Sequence, residues 1–146
     1  MPLNNKYFFL LMIYFISLTG ISQTIFGDWN TYDEVTNDIE SVIEVYERDG
    51  RAYAKIKDII DLEKKSAICI NCSGKRKNQP ILNMDILSGL EQNGEEWSGG
   101  KILDPKNGKY YKCYIKLIDS NTLKLRGYIG FSVFGRTAIW KRAVDR

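Results

Sequence analysis

W-S-G-G-K-I-L-D-P-K-N-G-K-Y-Y-K-C-Y, from Trp97 to Tyr114, reads as strand, tight turn, strand. Pro105 presets φ near about −65° at the second turn position, and Asn107 and Gly108 tolerate the positive φ that closes such a turn. Gly99 and Gly100 interrupt the first arm, where glycine marks a bulge or the close approach of another backbone. In the second arm Tyr111, Cys113, Ile115 and Leu117 alternate with Lys112, Tyr114, Lys116 and Ile118. That period of two predicts a strand with one face in a core and lysines on the other.

The segments on either side follow the same pattern. Val42 to Tyr46 is β-rich, Asp49-Gly50 is a favoured hairpin turn, and Ala52, Ala54 and Ile56 alternate with Tyr53, Lys55 and Lys57. The small alanines either make room for a large residue packed against them or leave space for a ligand, and a filled barrel of this size favours the first. Ile81 to Leu90 reads as another strand. After Asp119-Ser120-Asn121, Leu123, Leu125, Gly127 and Ile129 share a face opposite Lys124, Arg126 and Tyr128. Gly130 to Gly135 is apolar, glycine-bracketed and too short for a helix, so it reads as a tight loop over one barrel end. Ala138 to Arg142 is the closing strand. The count from Gly27 is about eight strands with short turns, enough for an antiparallel sheet to close and lose its edges. No convincing helical apolar stripe is present.

Taken together, W-x-G-G-K-I-x-D-P-x-N-G-x-x-Y, L-K-L-R-G-Y-I-G-F and F-G-R-T-x-x-W-x-R resemble the bacterial family of unknown function DUF2147. The positions that carry the resemblance are Trp97, Gly99, Gly100, Lys101, Ile102, Asp104, Pro105, Asn107, Gly108 and Tyr111. They continue with Leu123, Leu125, Arg126, Gly127, Tyr128, Gly130, Phe134, Gly135, Arg136, Trp140 and Arg142. The opening Gly27-Asp28-Trp29 fits as well. The resemblance implies an all-β fold, a single antiparallel lipocalin/calycin-like barrel of roughly eight strands with one long loop. It implies no activity. In lipocalin-like barrels a tryptophan early in the first strand closes the floor and a late arginine packs over it. Trp29 resembles that tryptophan, Arg142 resembles the arginine, and Arg136 is the alternative.

The chain has 146 residues, a single-domain length. Residues 1–22 read as a secretory leader. Lys6 supplies the positive start, Tyr7 to Leu18 the apolar run, and Gly20 and Ser22 the small residues before a cleavage at Gln23. The run falls short of the roughly 20 residues a spanning helix needs. The expectation is a leader at 1–22, a barrel at 23–146, and an exported protein, periplasmic or secreted, that does not span the membrane once cleaved. The net charge is only +3. Such a weak excess argues neither for nucleic acid nor for a membrane surface.

There is no histidine. That excludes Ser-His-Asp and Cys-His mechanisms and every His-containing zinc or non-haem iron site. Acid–base chemistry would fall to carboxylates, Lys, Tyr or Cys. Lys101 with Asp104 is the first pair to examine, although Asp104 is better suited to holding its own turn.

Asp61 to Asn83 is the long irregular connection, and loops of that length in compact domains are functional or mobile. It carries Cys69-Ile70-Asn71-Cys72. In an exported chain the simplest reading is a local Cys69–Cys72 disulfide. A redox pair would need a following helix that the pattern lacks. Zinc would need ligands that Cys113 alone cannot supply, and pairing with Cys113 is the remaining alternative. Lys75, Arg76 and Lys77 form a basic cluster on the same loop.

These readings favour a non-enzymatic barrel that binds a small apolar or amphipathic ligand or an envelope partner, without cofactor, metal or nucleic acid. The ligand-binding candidates are Tyr53, Trp97, Tyr111, Arg126, Tyr128 and Phe131. The alternative is an interaction module of the cell envelope acting through the Asp61–Asn83 loop.

Overall fold

The computed structural model describes residues 23–144; the leader expected at 1–22 lies outside them. Eight antiparallel strands close into a barrel in sequence order. They are β1 (Gly27–Tyr32), β2 (Ile39–Arg48), β3 (Arg51–Ile59), β4 (Asp85–Asn93), β5 (Glu96–Asp104), β6 (Lys109–Asp119), β7 (Thr122–Tyr128) and β8 (Gly135–Arg142). Every strand pairs with its sequence neighbours, and β1 closes on β8 through Trp29 opposite Arg142 and Asn30 opposite Lys141. Closure leaves no unpaired edge.

The central hairpin forms as its residues predict, with Asp104 opposite Lys109 and Trp97 opposite Ile115. The register slips between Trp97 and Gly100, where Gly99 takes φ +84°. A side chain at Gly100 would run into the Ser88 carbonyl on β4. The glycine pair is thus one bulge and one close approach.

Strands β4 and β8 start away from where the sequence places them. β4 begins at Asp85 rather than Ile81. Asn83 takes a left-handed φ of 65°, which ends the loop with a turn, while Ile81 and Leu82 still pack against the core. β8 begins at Gly135, three residues before Ala138, because Arg126 and Tyr128 extend its pairing to Thr137 and Gly135.

Inward-facing side chains fill the lower barrel. Trp29, Ile43, Val45, Leu90, Ile115, Leu123 and Trp140 are all buried. Ala52 and Ala54 are wholly buried, and their register partners on β4 are the larger Leu90 and Leu87. The alanines therefore admit bulk from β4 rather than leave a void. Cys113 lies in the same core, opposite Gly100 and Gly127.

The 60–84 connection is ordered, and it packs outside the barrel rather than over its mouth. Cys69 and Cys72 form a disulfide. With Met84 they bury Leu103, on the outward face of β5, in a second small core. Short 3₁₀ turns at Leu62–Lys64 and Gly74–Arg76 and a bridge between Ile68 and Pro80 complete the connection. It meets the β5–β6 turn directly. Asn71 Nδ2 donates to the Lys106 carbonyl at 2.9 Å. A Cβ at Gly108 would stand 1.9 Å from the Asn71 carbonyl oxygen, and Gly108 also takes φ +72°.

Gly108→Ala should therefore cost roughly 2–4 kcal/mol, combining left-handed backbone strain with a backbone collision. Gly94→Ala is the control. Gly94 has a similar φ of +64° but open space around it, so only the strain should appear. Urea unfolding of both variants separates the two effects, and equal losses would remove the loop contact from the account.

Candidate functional site at the barrel mouth

The two ends of the barrel are built differently. At the floor, the Trp29 indole donates Nε1–H to the Ile25 carbonyl at 2.8 Å. The Arg142 guanidinium lies 4.2 Å from the centre of that ring. It also donates to three carbonyls, those of Ser120 (2.8 Å), Phe26 (3.1 Å) and Thr24 (2.7 Å). One side chain thus fastens the N-terminal strap, the β6–β7 turn and the first strand.

Beside this clasp a groove of about 910 Å³ runs along residues 23–26. Phe26 and Trp97 meet edge to face in it, with ring centres 5.4 Å apart. Leu117 and Ile118 add apolar wall, and Lys116 and Lys124 add positive charge.

The opposite end is the mouth. Thr31, Ser41, Ile102, Tyr111, Gly127, Arg136 and Ala138 continue the inward-facing rows of their strands toward it. None is fully buried, whereas the inward residues one layer below are. Thr31 and Ser41 share a hydrogen bond of 2.6 Å, the polar pair of an otherwise apolar wall. Asn107 Nδ2 donates to the Tyr111 hydroxyl at 2.9 Å and fixes the ring at the rim. Gly127 is the inward position on β7 that lacks a side chain. A Cβ there would touch only Ile102 Cγ2 and Tyr111 Cβ, each at an ordinary 3.9 Å. Glycine at 127 keeps a side chain out from beside these two residues.

The rim is charged on one side and apolar on the other. The 33–38 turn is held by Asp33, whose Oδ1 accepts the N–H groups of Val35 and Thr36; these bonds keep its carboxyl below the ordinary aspartate range. Glu34 pairs with Arg136 and ties that turn to β8. Glu40 pairs with Lys106 at 2.8 Å and holds its ammonium above the ordinary lysine range. Across the mouth the β7–β8 loop presents Phe131, Val133 and Phe134 to solvent.

The six ligand candidates separate. Tyr111 lines the mouth and Phe131 stands on its rim. Arg126 faces outward and secures the rim loop, donating to the Ser132 and Val133 carbonyls at 2.9 and 3.0 Å and to Thr137 Oγ1 at 2.9 Å. Tyr128 lies at the base of that loop, opposite Lys112. Trp97 belongs to the floor groove. Tyr53 lies on the outer wall, stacked on Tyr46 at 5.9 Å with Arg48 4.0 Å above it. Lys101 and Asp104 project to opposite sides of β5, and Asp104 Oδ1 accepts the Lys106 N–H at 2.9 Å. Sequence reading missed Thr31, Ser41 and Ala138. Extending the period of two from Trp29, Ile43 and Trp140 would have found them.

Two groups are shifted strongly. Burial pushes the Cys113 thiol up to about 12, so it stays protonated and a weak nucleophile. Burial and the hydrogen bond to Asp85 raise the Tyr46 hydroxyl from its ordinary value near 10 to about 12. Its neutral form is favoured in the fold, so its contribution is complete below pH 10 and lost as pH climbs through about 12. Tyr46→Phe should remove the last tyrosine to ionise in an ultraviolet titration. It should also cost about 1 kcal/mol at neutral pH for the lost bond to Asp85. An unchanged titration tail would contradict this assignment.

Residues 27–142 match the family DUF2147, described as an uncharacterized protein conserved in bacteria. No curated protein matches. Among solved structures, protein HP1028 from the human pathogen Helicobacter pylori, described as belonging to the lipocalin family, superposes with a TM-score of 0.73. The two share 22% identity over 84% of each chain, a likeness that establishes the lipocalin-like fold.

Proposed function

We propose, from the premise that the chain belongs to the DUF2147 family and folds as a lipocalin-like barrel, that it binds one small apolar or amphipathic molecule at the barrel mouth. The observation that carries this reading is the half-buried upper layer of inward residues, Thr31, Ser41, Ile102, Tyr111 and Ala138 around Gly127, above a floor that is filled. The wall suits an aliphatic or aromatic body, Thr31 and Ser41 a polar group, and Arg136 at the rim an anionic end.

The protein acts by binding rather than catalysis. Its buried Cys113 is protonated, Lys101 and Asp104 diverge, and no histidine is available. It works outside the cytoplasm, a location supported by the leader pattern and the Cys69–Cys72 disulfide. The Asp61–Asn83 loop acts as a buttress of the β5–β6 hairpin, given its contacts with Leu103, Lys106 and Gly108.

A second reading is supported by the floor groove, whose volume and Phe26–Trp97 pair also suit a small apolar molecule. Titration with a fluorescent long-chain fatty acid distinguishes the two. The mouth reading expects saturable binding of one probe per chain, retained in Trp97→Ala. Loss of binding in Trp97→Ala, with folding intact, would move the site to the groove. Absence of saturable binding in the wild type would remove this ligand class.

A further inference from the structure

The β7–β8 loop is a surface the ligand reading does not use. Ile129, Phe131, Val133 and Phe134 stand 70%, 77%, 77% and 73% exposed within six residues. So dense an exposed apolar cluster marks an interaction surface. The loop is also held in shape. Arg126 grips the Ser132 and Val133 carbonyls, and the Phe134 N–H donates to the Phe131 carbonyl at 3.0 Å.

The adjoining outer wall is basic. Lys101 on β5 lies opposite Lys112 on β6, which lies opposite Tyr128 at the base of the loop. One row toward the floor, Arg126 lies opposite Tyr114; one row further, Lys116 lies opposite Lys124. Like charges directly opposite one another destabilise a sheet, so two such pairs on one wall have a folding cost that calls for a compensating role. Among the described residues Lys101, Lys112 and Lys124 have no carboxylate partner, while Glu95 and Glu96 lie at the floor end with Lys116. The acids at the mouth are elsewhere. Asp33, Glu34 and Asp38 sit on the β1–β2 turn, and Asp104 holds the β5–β6 turn. The net charge of +3 is small, but it is unevenly distributed.

We propose that the β7–β8 loop and the outer wall of β5, β6 and β7 dock on an anionic lipid surface. The apolar side chains enter the headgroup boundary, and Lys101 and Lys112 face the lipid phosphates. Tyr128 stands in the same row as Lys101 and Lys112, at the base of the loop, where an aromatic ring with a polar tip is favoured. This surface does not depend on a ligand in the mouth.

The test is vesicle co-sedimentation of protein produced from the full coding sequence, so that any processing of the N-terminus is common to every variant. Vesicles contain phosphatidylcholine alone or mixed with phosphatidylglycerol. The wild type should sediment with the mixed vesicles and be released by high salt. Lys101→Glu with Lys112→Glu should weaken binding roughly tenfold or more. Phe131→Ser with Phe134→Ser should abolish it while leaving the thermal midpoint in place. Absence of binding to mixed vesicles at low salt would overturn the proposal, as would undiminished binding by the Phe131/Phe134 variant. A wild-type dimer that these serines dissolve, without vesicle binding, would assign the loop to a second copy of the chain and equally overturn it.

Discussion

Trp29→Ala is expected to cost roughly 4–6 kcal/mol, a large share of the stability of a domain this size. The indole is wholly buried, so truncation removes a large apolar body and opens a cavity at the floor. It also leaves the Ile25 carbonyl without its donor and deprives the Arg142 guanidinium of its stacking surface. Arg142→Met should cost about 2–4 kcal/mol, since the aliphatic stem is kept while donors to three carbonyls are lost. The two changes should not add. Once Trp29 is gone, the arginine has less to lose, and the double variant should fall short of the sum by about 0.5–2 kcal/mol. Urea unfolding of the four proteins measures this coupling. A cost below about 2 kcal/mol for Trp29→Ala would mean that the floor is not the keystone its geometry implies.

Gly127→Leu is expected to abolish binding in the mouth, by about a hundredfold or more, without loss of stability. An isobutyl group at position 127 would extend inward beside Ile102 and Tyr111, where the proposed ligand would sit. The backbone there does not need glycine, because its neighbours stand at ordinary contact distance. Replacing a strand glycine should return about 0.5–1 kcal/mol of conformational entropy, and the added apolar contact should raise the thermal midpoint further. Most substitutions that destroy a site also harm the fold; this one should separate the two. Thermal melting read beside the fatty-acid titration tests it. Retained affinity in a stable Gly127→Leu protein would exclude the mouth as the binding place.

The fold was legible wherever it depends on local pattern. Alternation in β3, β6 and β7 and the Asp104–Gly108 turn each have short-range causes, and the structure repeats them. The family resemblance supplied the floor pair of Trp29 and Arg142, which composition and spacing alone would not reveal. The site was less legible because its limits are tertiary. Arg126 and Tyr128 were marked as ligand residues, yet their alternation with Leu125 and Gly127 already directs them outward. What Arg126 does depends on where the Ser132 and Val133 carbonyls return, and no local period encodes that. Trp97 falls at the floor because it opens β5, whose first residues pair with Gln92 and Ile115 at that end of the barrel. By sequence alone the long loop is a candidate interaction module. Its docking depends on Gly108 lacking a side chain beside Asn71, a contact between positions far apart in the chain.

The most direct measurement is native mass spectrometry of the wild-type protein isolated from its own host, beside Gly127→Leu prepared in the same way. The account predicts a wild-type population heavier by one small apolar or amphipathic molecule per chain, and a Gly127→Leu protein that carries none. A wild-type protein recovered bare, or a Gly127→Leu protein carrying the same added mass, would contradict it.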